Sequence, residues 1–399
     1  MSNKENNLTP AMQQYYELKE QNRDSILFFR MWDFYEMFDD DAIIANKALW
    51  IAVTSRNKNA AKSTPLAGIP YHAKEKYLPM LIESWYKVAI AEQVSDPNLK
   101  WIVKREVVRV ITPSTLWLEW ENYDNNNSSI ISITHNKKYW LSIINISENK
   151  WMTSEFESFE ELQSEIIKLN PNEVVLEKSL FNNIEIKETL EKKYSLNIYF
   201  FSDKSDSYKN LITHFWTKNL EAYWIQNLLE AQKASSLLLK YLENSQKTKL
   251  SFLDKISLYN TSNYLSLDES TIKNLDLVFN IATKSSKNWT LFWLLNDTKT
   301  IWGSRLMYNS ILNPLKDTSS IKDRQDFIEE FISNKILLDK IRDELWAVSN
   351  IDWILNRIAL NRTSPRDLIN LKNSLKSILN IIEIINQSDS KKLKKIINK

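Results

Sequence analysis

Cysteine is absent from the 399 residues. That excludes disulfides, thiolate catalysis and cysteine-ligated zinc. Histidine occurs three times, as His72, His135 and His214, too scattered to suggest a histidine metal site. No apolar run of about 18 residues is present, so no transmembrane helix is expected. The opening residues 1–7 (MSNKENN) lack the apolar stretch of a signal peptide, and a cytoplasmic protein is expected. Charge of one sign is lacking too. With 52 basic and 50 acidic residues the net charge is +2, so any affinity for nucleic acid must come from local patches. Glycine is the most unusual shortage, with two residues in the whole chain, against a usual share of about 7%. Glycine serves wherever φ is positive, and two cannot serve the turns of a chain this long.

What is present is a globular composition, 43% hydrophobic and 26% charged, long enough for two or three domains. Tryptophan, ordinarily rare, occurs fifteen times. Residues 1–118 mix signals. Thr9-Pro10 reads as a helix start, followed by a helix through Arg23. Ser25–Phe29, Lys87–Val94 and Val107–Thr112 read as strands, and Asp39–Leu49 and Lys74–Ser84 as helices. Residues 119–129 are polar and Asn-rich, a linker. Residues 130–205 alternate strand and helix and read as a second α/β domain. Strands are expected at Ile130–Thr134, Tyr139–Ile146, Glu173–Glu177 and Asn197–Phe201. Helices are expected at Ser158–Leu169, Leu180–Lys193 and within Leu220–Gln246. From about residue 262 the periodicity is helical, with segments at Ser266–Ile281, Ser319–Asn334, Lys335–Leu345, Ile351–Leu360 and Pro365–Ile385.

The segment Phe29–Phe38 (FRMWDFYEMF) carries the chemistry. If this stretch is extended, Phe34 and Glu36 face the same side. A protruding phenyl ring can wedge between base pairs, and a carboxyl beside it can bond a displaced base edge. The structural alternative is a half-buried strand with Phe34 in the core.

This segment resembles the Phe-x-Glu mismatch-reading motif of the bacterial MutS family, the DNA mismatch-repair sensors, within its pattern FxRMGDFYExF. Further matches follow in order. Residues 67–73 (AGIPYHA), 88–93 (VAIAEQ) and 104–113 (KREVVRVITP) match family segments in the first domain. Residues 294–300 with Gly303–Leu306, and Ile351–Leu368, resemble segments of its helical core. The resemblance implies a multidomain α/β plus all-α architecture. Residues 1–118 would be a mixed α/β mismatch-binding domain and 130–250 an RNase H-like α/β connector. Residues 255–399 would be the start of a helical lever, with the clamp and ATPase domains absent. It implies that Phe34 stacks on a mispaired base from the minor groove while Glu36 hydrogen-bonds it. Met31 and Asp33 would flank the wedge, and Arg56 and Lys58 would lie near DNA. Lys100, Lys104, Arg105 and Arg109 form a weaker basic cluster. His72 is expected to be structural, and Gly303 to lie in a lever helix.

No G-x-x-x-x-G-K-[ST] loop is present, so this chain is expected to bind no cofactor and not to hydrolyse ATP. ATP and Mg²⁺ would belong to the missing ATPase domain. The implied partners are duplex DNA carrying mismatches or small loops, a second copy in the full-length family, and MutL. Three rivals stand beside mismatch binding. One is an RNase H-like nuclease, although residues 130–146 contain no Asp or Glu for two-metal chemistry. Another is an ATPase-less interaction module or partner subunit of a full-length MutS. The third is a fragment of a longer gene product.

The resemblance also addresses the composition. Trp32, Trp85, Trp101, Trp140, Trp216, Trp224, Trp289 and Trp346 fall on family glycines, and Trp50 plausibly does. Trp293 matches a tryptophan in many relatives. Trp117, Trp120, Trp151, Trp302 and Trp353 remain unplaced. A gene in which UGA encodes glycine, translated with UGA as tryptophan, would give this pattern. The abundance of Asn, Lys and Ile suits such an AT-rich gene. The alternative is a genuinely tryptophan-rich protein that stacks nucleobases.

Overall fold

The computed structural model describes residues 9–56, 64–95, 103–116, 129–259, 264–280, 288–388, 390 and 392–394. Helix α1 (Pro10–Gln21) opens the first unit, with proline at its first position, where the missing N–H costs nothing. Then follow β1 (Ser25–Met31), β2 (Phe34–Phe38), α2 (Asp40–Leu49), β3 (Thr54–Arg56), β4 (Thr64–Pro70), a 3₁₀ turn (Tyr71–Ala73), α3 (Lys74–Glu83), β5 (Lys87–Gln93) and β6 (Arg105–Ile111). The sheet order is β3-β4-β2-β1-β5-β6, with β1 and β5 parallel and the other pairs antiparallel. Both faces are covered. One carries Phe28, Tyr35, Met37 and Ile90 against α2 and α3, and the other carries Leu27, Phe29 and Phe38 against Met12 and Tyr15 of α1.

Asp41 fastens these layers. It is buried and accepts from Lys19 Nζ at 2.7 Å, Tyr15 Oη at 3.1 Å and Leu27 N at 3.0 Å. Burial, and then the Asp41 charge, push the Tyr15 phenol far above its ordinary value, so it stays a neutral donor. Asp41→Ala would strand a cation and a backbone N–H on this network. Loss of about 3 kcal/mol is expected, read as a lower midpoint in urea unfolding; a loss below 1 kcal/mol would contradict that account.

The second unit contains β7 (Ser129–Asn136), β8 (Lys138–Asn145), β9 (Lys150–Phe156), α4 (Phe159–Leu169), β10 (Glu173–Leu176), α5 (Lys178–Phe181), α6 (Ile184–Glu188) with one π turn after it, β11 (Asn197–Phe200), α7 (Ser207–Phe215), α8 (Leu229–Gln246) and the short β12 (Ser257–Leu258). Its order is β11-β10-β7-β8-β9-β12: an antiparallel meander, β7 to β9, extended by parallel strands on both sides. Helix α8 lies against β7 and β8 and buries Leu238, Leu239 and Leu242. The helix expected over Leu180–Lys193 is broken into α5, α6 and the π turn, and β9 was not anticipated.

The third unit is helical: α9 (Glu269–Asn274), α10 (Leu291–Leu295), α11 (Ile301–Leu312), α12 (Thr318–Ser333), α13 (Lys335–Trp346), α14 (Ile351–Ala359) and α15 (Pro365–Gln387). Polar N-caps start most of them. Ser364 and Asp367 form a full capping box at α15. The helix expected over Ser266–Ile281 is a correction, because among its described residues, 266–280, only Glu269–Asn274 is helical. After it, Asp276 takes positive φ, and the backbone N–H groups of Leu291 and Phe292 bond the carbonyls of Asp276 and Leu277. Tertiary bonds to α10 thus replace the helical ones. Gly303 sits in the first turn of α11, where Thr300 Oγ1 accepts its N–H at 3.0 Å; a Cβ there would come within 3.0 Å of Thr298 Cβ. Arg305 Nη1 and Asn356 Nδ2 bond the carbonyls of Ser147 and Ile146, joining this unit to the second.

Candidate nucleic-acid interface

β1 and β2 form a hairpin whose last pair is Met31 opposite Phe34, leaving Trp32 and Asp33 as a two-residue turn. Trp32 has φ 54° while Asp33 has no positive φ. A positive φ at the first central position is the place glycine takes in a type II′ hairpin turn. The turn is held from outside. Tyr71 N donates to Asp33 O at 2.9 Å, Arg30 Nε donates to Trp32 O, and the Arg30 guanidinium lies 3.8 Å over the Tyr71 ring.

Phe34 begins β2, opposite Pro70, and is 47% exposed. Its strand is extended, so Phe34, Glu36 and Phe38 share one face while Tyr35 and Met37 are buried on the other. The face therefore runs from core, at Phe38, through half-buried Glu36, to open solvent at Phe34. Phe34 is not the core residue of the structural alternative. Gly68 stands opposite Glu36, where a Cβ would lie 3.9 Å from Glu36 Cγ and 4.0 Å from Phe34 Cδ1. Its missing side chain leaves the flank of both residues open.

Met31 is half-buried on the same face as Phe34, and Asp33 is exposed at the tip. Arg56 ends β3 at the sheet edge, paired with Thr64 in backbone register. Lys58, Lys100 and Trp101 lie outside the described residues, as do Trp117 and Trp120. The expected basic cluster does not form one surface: Arg105 is buried, and Lys104 pairs with Glu106 at 2.6 Å. Strand alternation sends Arg105 inward and its neighbours outward. His72 is exposed, in edge contact with the Tyr71 ring. Arg30 and Tyr71 were not anticipated around the tip, and Arg105 was expected only as a member of the basic cluster. Their signal was the unbroken match of the surrounding segments, which does not say which side chains converge.

The tryptophans divide by backbone conformation. Fourteen described non-glycine residues have positive φ, and five are Asn or Asp, which tolerate it. Six are Trp32, Trp50, Trp85, Trp216, Trp224 and Trp289, with φ between 50° and 70°. All six are exposed, from 58% at Trp85 to 97% at Trp216. Trp50, Trp216 and Trp224 close helical segments as left-handed caps, each N–H bonded to a carbonyl of the last turn. Trp140 instead lies buried in β8, and Trp346 ends α13; neither has positive φ. Trp151 is buried, with Nε1 donating to Ser142 Oγ at 2.9 Å, and Trp353 is buried under Arg357. Trp302 Nε1 donates to Asp352, and Trp293 lies against Trp289. Neither glycine has positive φ.

The architecture is that of a modular protein: two α/β units and a helical unit, with an aromatic-carboxylate tip on the first. Family models described as MutS domain I, MutS domain II and MutS domain III match residues 9–119, 128–254 and 270–399 respectively. The chain belongs to the MutS family. It is 36% identical to the DNA mismatch repair protein MutS of Lachnoclostridium phytofermentans, over 98% of this chain and 42% of the relative. The MutS proteins of Methanococcoides burtonii (36%, 94% of this chain, 43% of the relative) and Streptococcus agalactiae (35%, 98% and 44%) are similar. The chain thus spans less than half the length of these relatives. Among the described residues no helix is long and apolar enough to cross a membrane, and no group of three His, Asp or Glu could hold a metal ion.

Proposed function

We propose that this chain takes part in DNA mismatch repair by binding duplex DNA at mispaired bases, with Phe34 as the inserting wedge and Glu36 as the base-bonding carboxyl. The supporting observation is the half-exposed phenyl ring at the end of a braced hairpin, two residues from a carboxylate on the same face. A mispaired step is cheaper to unstack than a Watson–Crick one, so a ring that must open the stack selects it. The kink that follows brings backbone phosphates toward the protein. Residues 1–118 hold 15 basic and 14 acidic side chains, so affinity for matched DNA is modest on this reading. Met31, Asp33, Arg56 and Lys58 belong to the same surface in this proposal. ATP hydrolysis with Mg²⁺, self-association and MutL binding belong to the longer protein, as does any association with the nucleoid.

Fluorescence anisotropy with a labelled duplex, matched or carrying one mismatch, tests it; equal affinity for both would overturn it. Glu36 adds a second check. Its carboxylate repels phosphate and helps only through a base, so Glu36→Gln is expected to keep or raise affinity for both duplexes while narrowing the mismatch preference severalfold. Unchanged preference would remove Glu36 from the reading.

A second proposal concerns composition: positions 32, 50, 85, 216, 224 and 289 are glycine in the protein that the cell makes, through a UGA codon read as glycine. Its support is the left-handed backbone at all six, five of which, all but position 50, fall on family glycines by the resemblance above. Trp101, Trp140 and Trp346 rest on the resemblance alone.

A further inference from the structure

Arg105 is a buried cation, 8% exposed, on the sheet face that also carries Phe29, Ala91 and Val107, and its cross-strand partner on β5 is Gln93. It belongs to β6, yet its Nε donates to Arg30 O of β1 at 2.6 Å, and its guanidinium lies 5.0 Å from the Phe29 ring centre. The side chain therefore crosses β5, whose Ala91 pairs with Phe29 on one side and Val107 on the other. Nη1 donates to Val103 O at 3.0 Å, and the backbone N–H donates to Gln14 of α1 at 3.1 Å, so the arm is fixed at both ends. Phe29 is the direct cross-strand partner of Glu36, on the same face. The arm thus brings a guanidinium against Phe29, the cross-strand partner of a carboxylate, Glu36, on the proposed DNA surface. Burial lowers the Arg105 pKa from its ordinary value, and the Glu36 charge opposes that.

A carboxylate approaching a polyanion is repelled, and a flexible one loses orientation. A fixed cation behind it corrects both faults. We propose that Arg105 is a positioning residue for Glu36, holding its carboxylate in base-reading orientation and offsetting its charge against the duplex. This rests on the mismatch-binding reading above.

The test is a double-mutant cycle on the 399-residue chain, using the mismatched and matched duplexes. Arg105→Met is expected to lower the ratio of mismatch to matched affinity severalfold, as Glu36→Gln does, and Arg105→Lys to restore part of it. In a Glu36→Gln background Arg105→Met should leave the ratio unchanged, because the group it acts through is gone. An equal fall in both backgrounds would mark Arg105 as merely structural and overturn the proposal, as would an unchanged ratio in the single variant. If Arg105→Met fails to fold by circular dichroism, the same cycle is run with Arg105→Lys, and an effect that persists beside Glu36→Gln overturns the proposal. Phe34→Ala separates the two levels. A ratio lowered by Phe34→Ala but not by either Arg105 variant overturns the Arg105 role alone. A ratio untouched by Phe34→Ala and Glu36→Gln overturns both.

Discussion

Phe34→Ala is expected to weaken mismatch binding by about 1–3 kcal/mol, roughly 5- to 150-fold, and to leave matched-duplex affinity nearly unchanged. The asymmetry follows from where the energy lies. Contacts to phosphate are common to both duplexes, whereas ring-on-base stacking exists only where the stack opens. Phe34 is half-exposed at the start of a strand, and Tyr35 and Met37 fill the core beneath it, so its removal leaves no internal cavity. Thermal stability should therefore stay within about 0.5 kcal/mol, and the binding loss can be read as stacking. Parallel loss on both duplexes would show the ring to be a general DNA contact. Phe34→Tyr or Phe34→Trp should retain preference, since each keeps a π face.

Replacing all six left-handed tryptophans by glycine is expected to stabilise the chain by several kcal/mol. A side chain with Cβ in this conformation costs about 1–2 kcal/mol, and glycine returns part of that through the larger entropy of its unfolded chain, about 0.4–1 kcal/mol. The net gain is about 0.5–1 kcal/mol per site. Little burial is lost, because all six indoles are mostly in solvent. The sites stand on separate turns and caps, so the gains should add apart from any coupling between Trp289 and its neighbour Trp293. Urea unfolding of the six-fold variant against the tryptophan chain measures this, and a net loss would contradict the left-handed assignment. As controls, Trp151→Gly and Trp353→Gly should each cost about 3–5 kcal/mol, because these rings fill the core. Tandem mass spectrometry on protein from the native cell decides the coding question: glycine residue masses at positions 32 and 216 support it, and tryptophan masses overturn it.

The linear sequence carried the element order far. Thr9-Pro10, the alternating apolar runs of the two sheets and the polar caps of the helical unit act over a few residues, and the structure places elements where they point. The Leu180–Lys193 helix failed because apolar spacing does not report where a helix must bend to keep Leu180, Ile186 and Leu190 all in one core. The Ser266–Ile281 helix failed because bonds to α10 outcompete its own continuation.

The wedge segment was also legible locally. Period two places Phe34 beside Glu36 in any extended chain, and the surplus of tryptophan over glycine is visible by counting. Its exposure was not legible, since an FYEMF strand serves equally well inside a core; only the sheet order, with β4 and the 3₁₀ turn bracing one end, leaves the ring in water. Nor could spacing reveal that Arg105 crosses a strand to reach Phe29, the cross-strand partner of Glu36, which lies sixty-nine residues away from Arg105 in sequence. Local pattern sets which way a side chain leaves its own strand. The company it meets depends on which strands are neighbours, and that is settled by burial of the whole sheet.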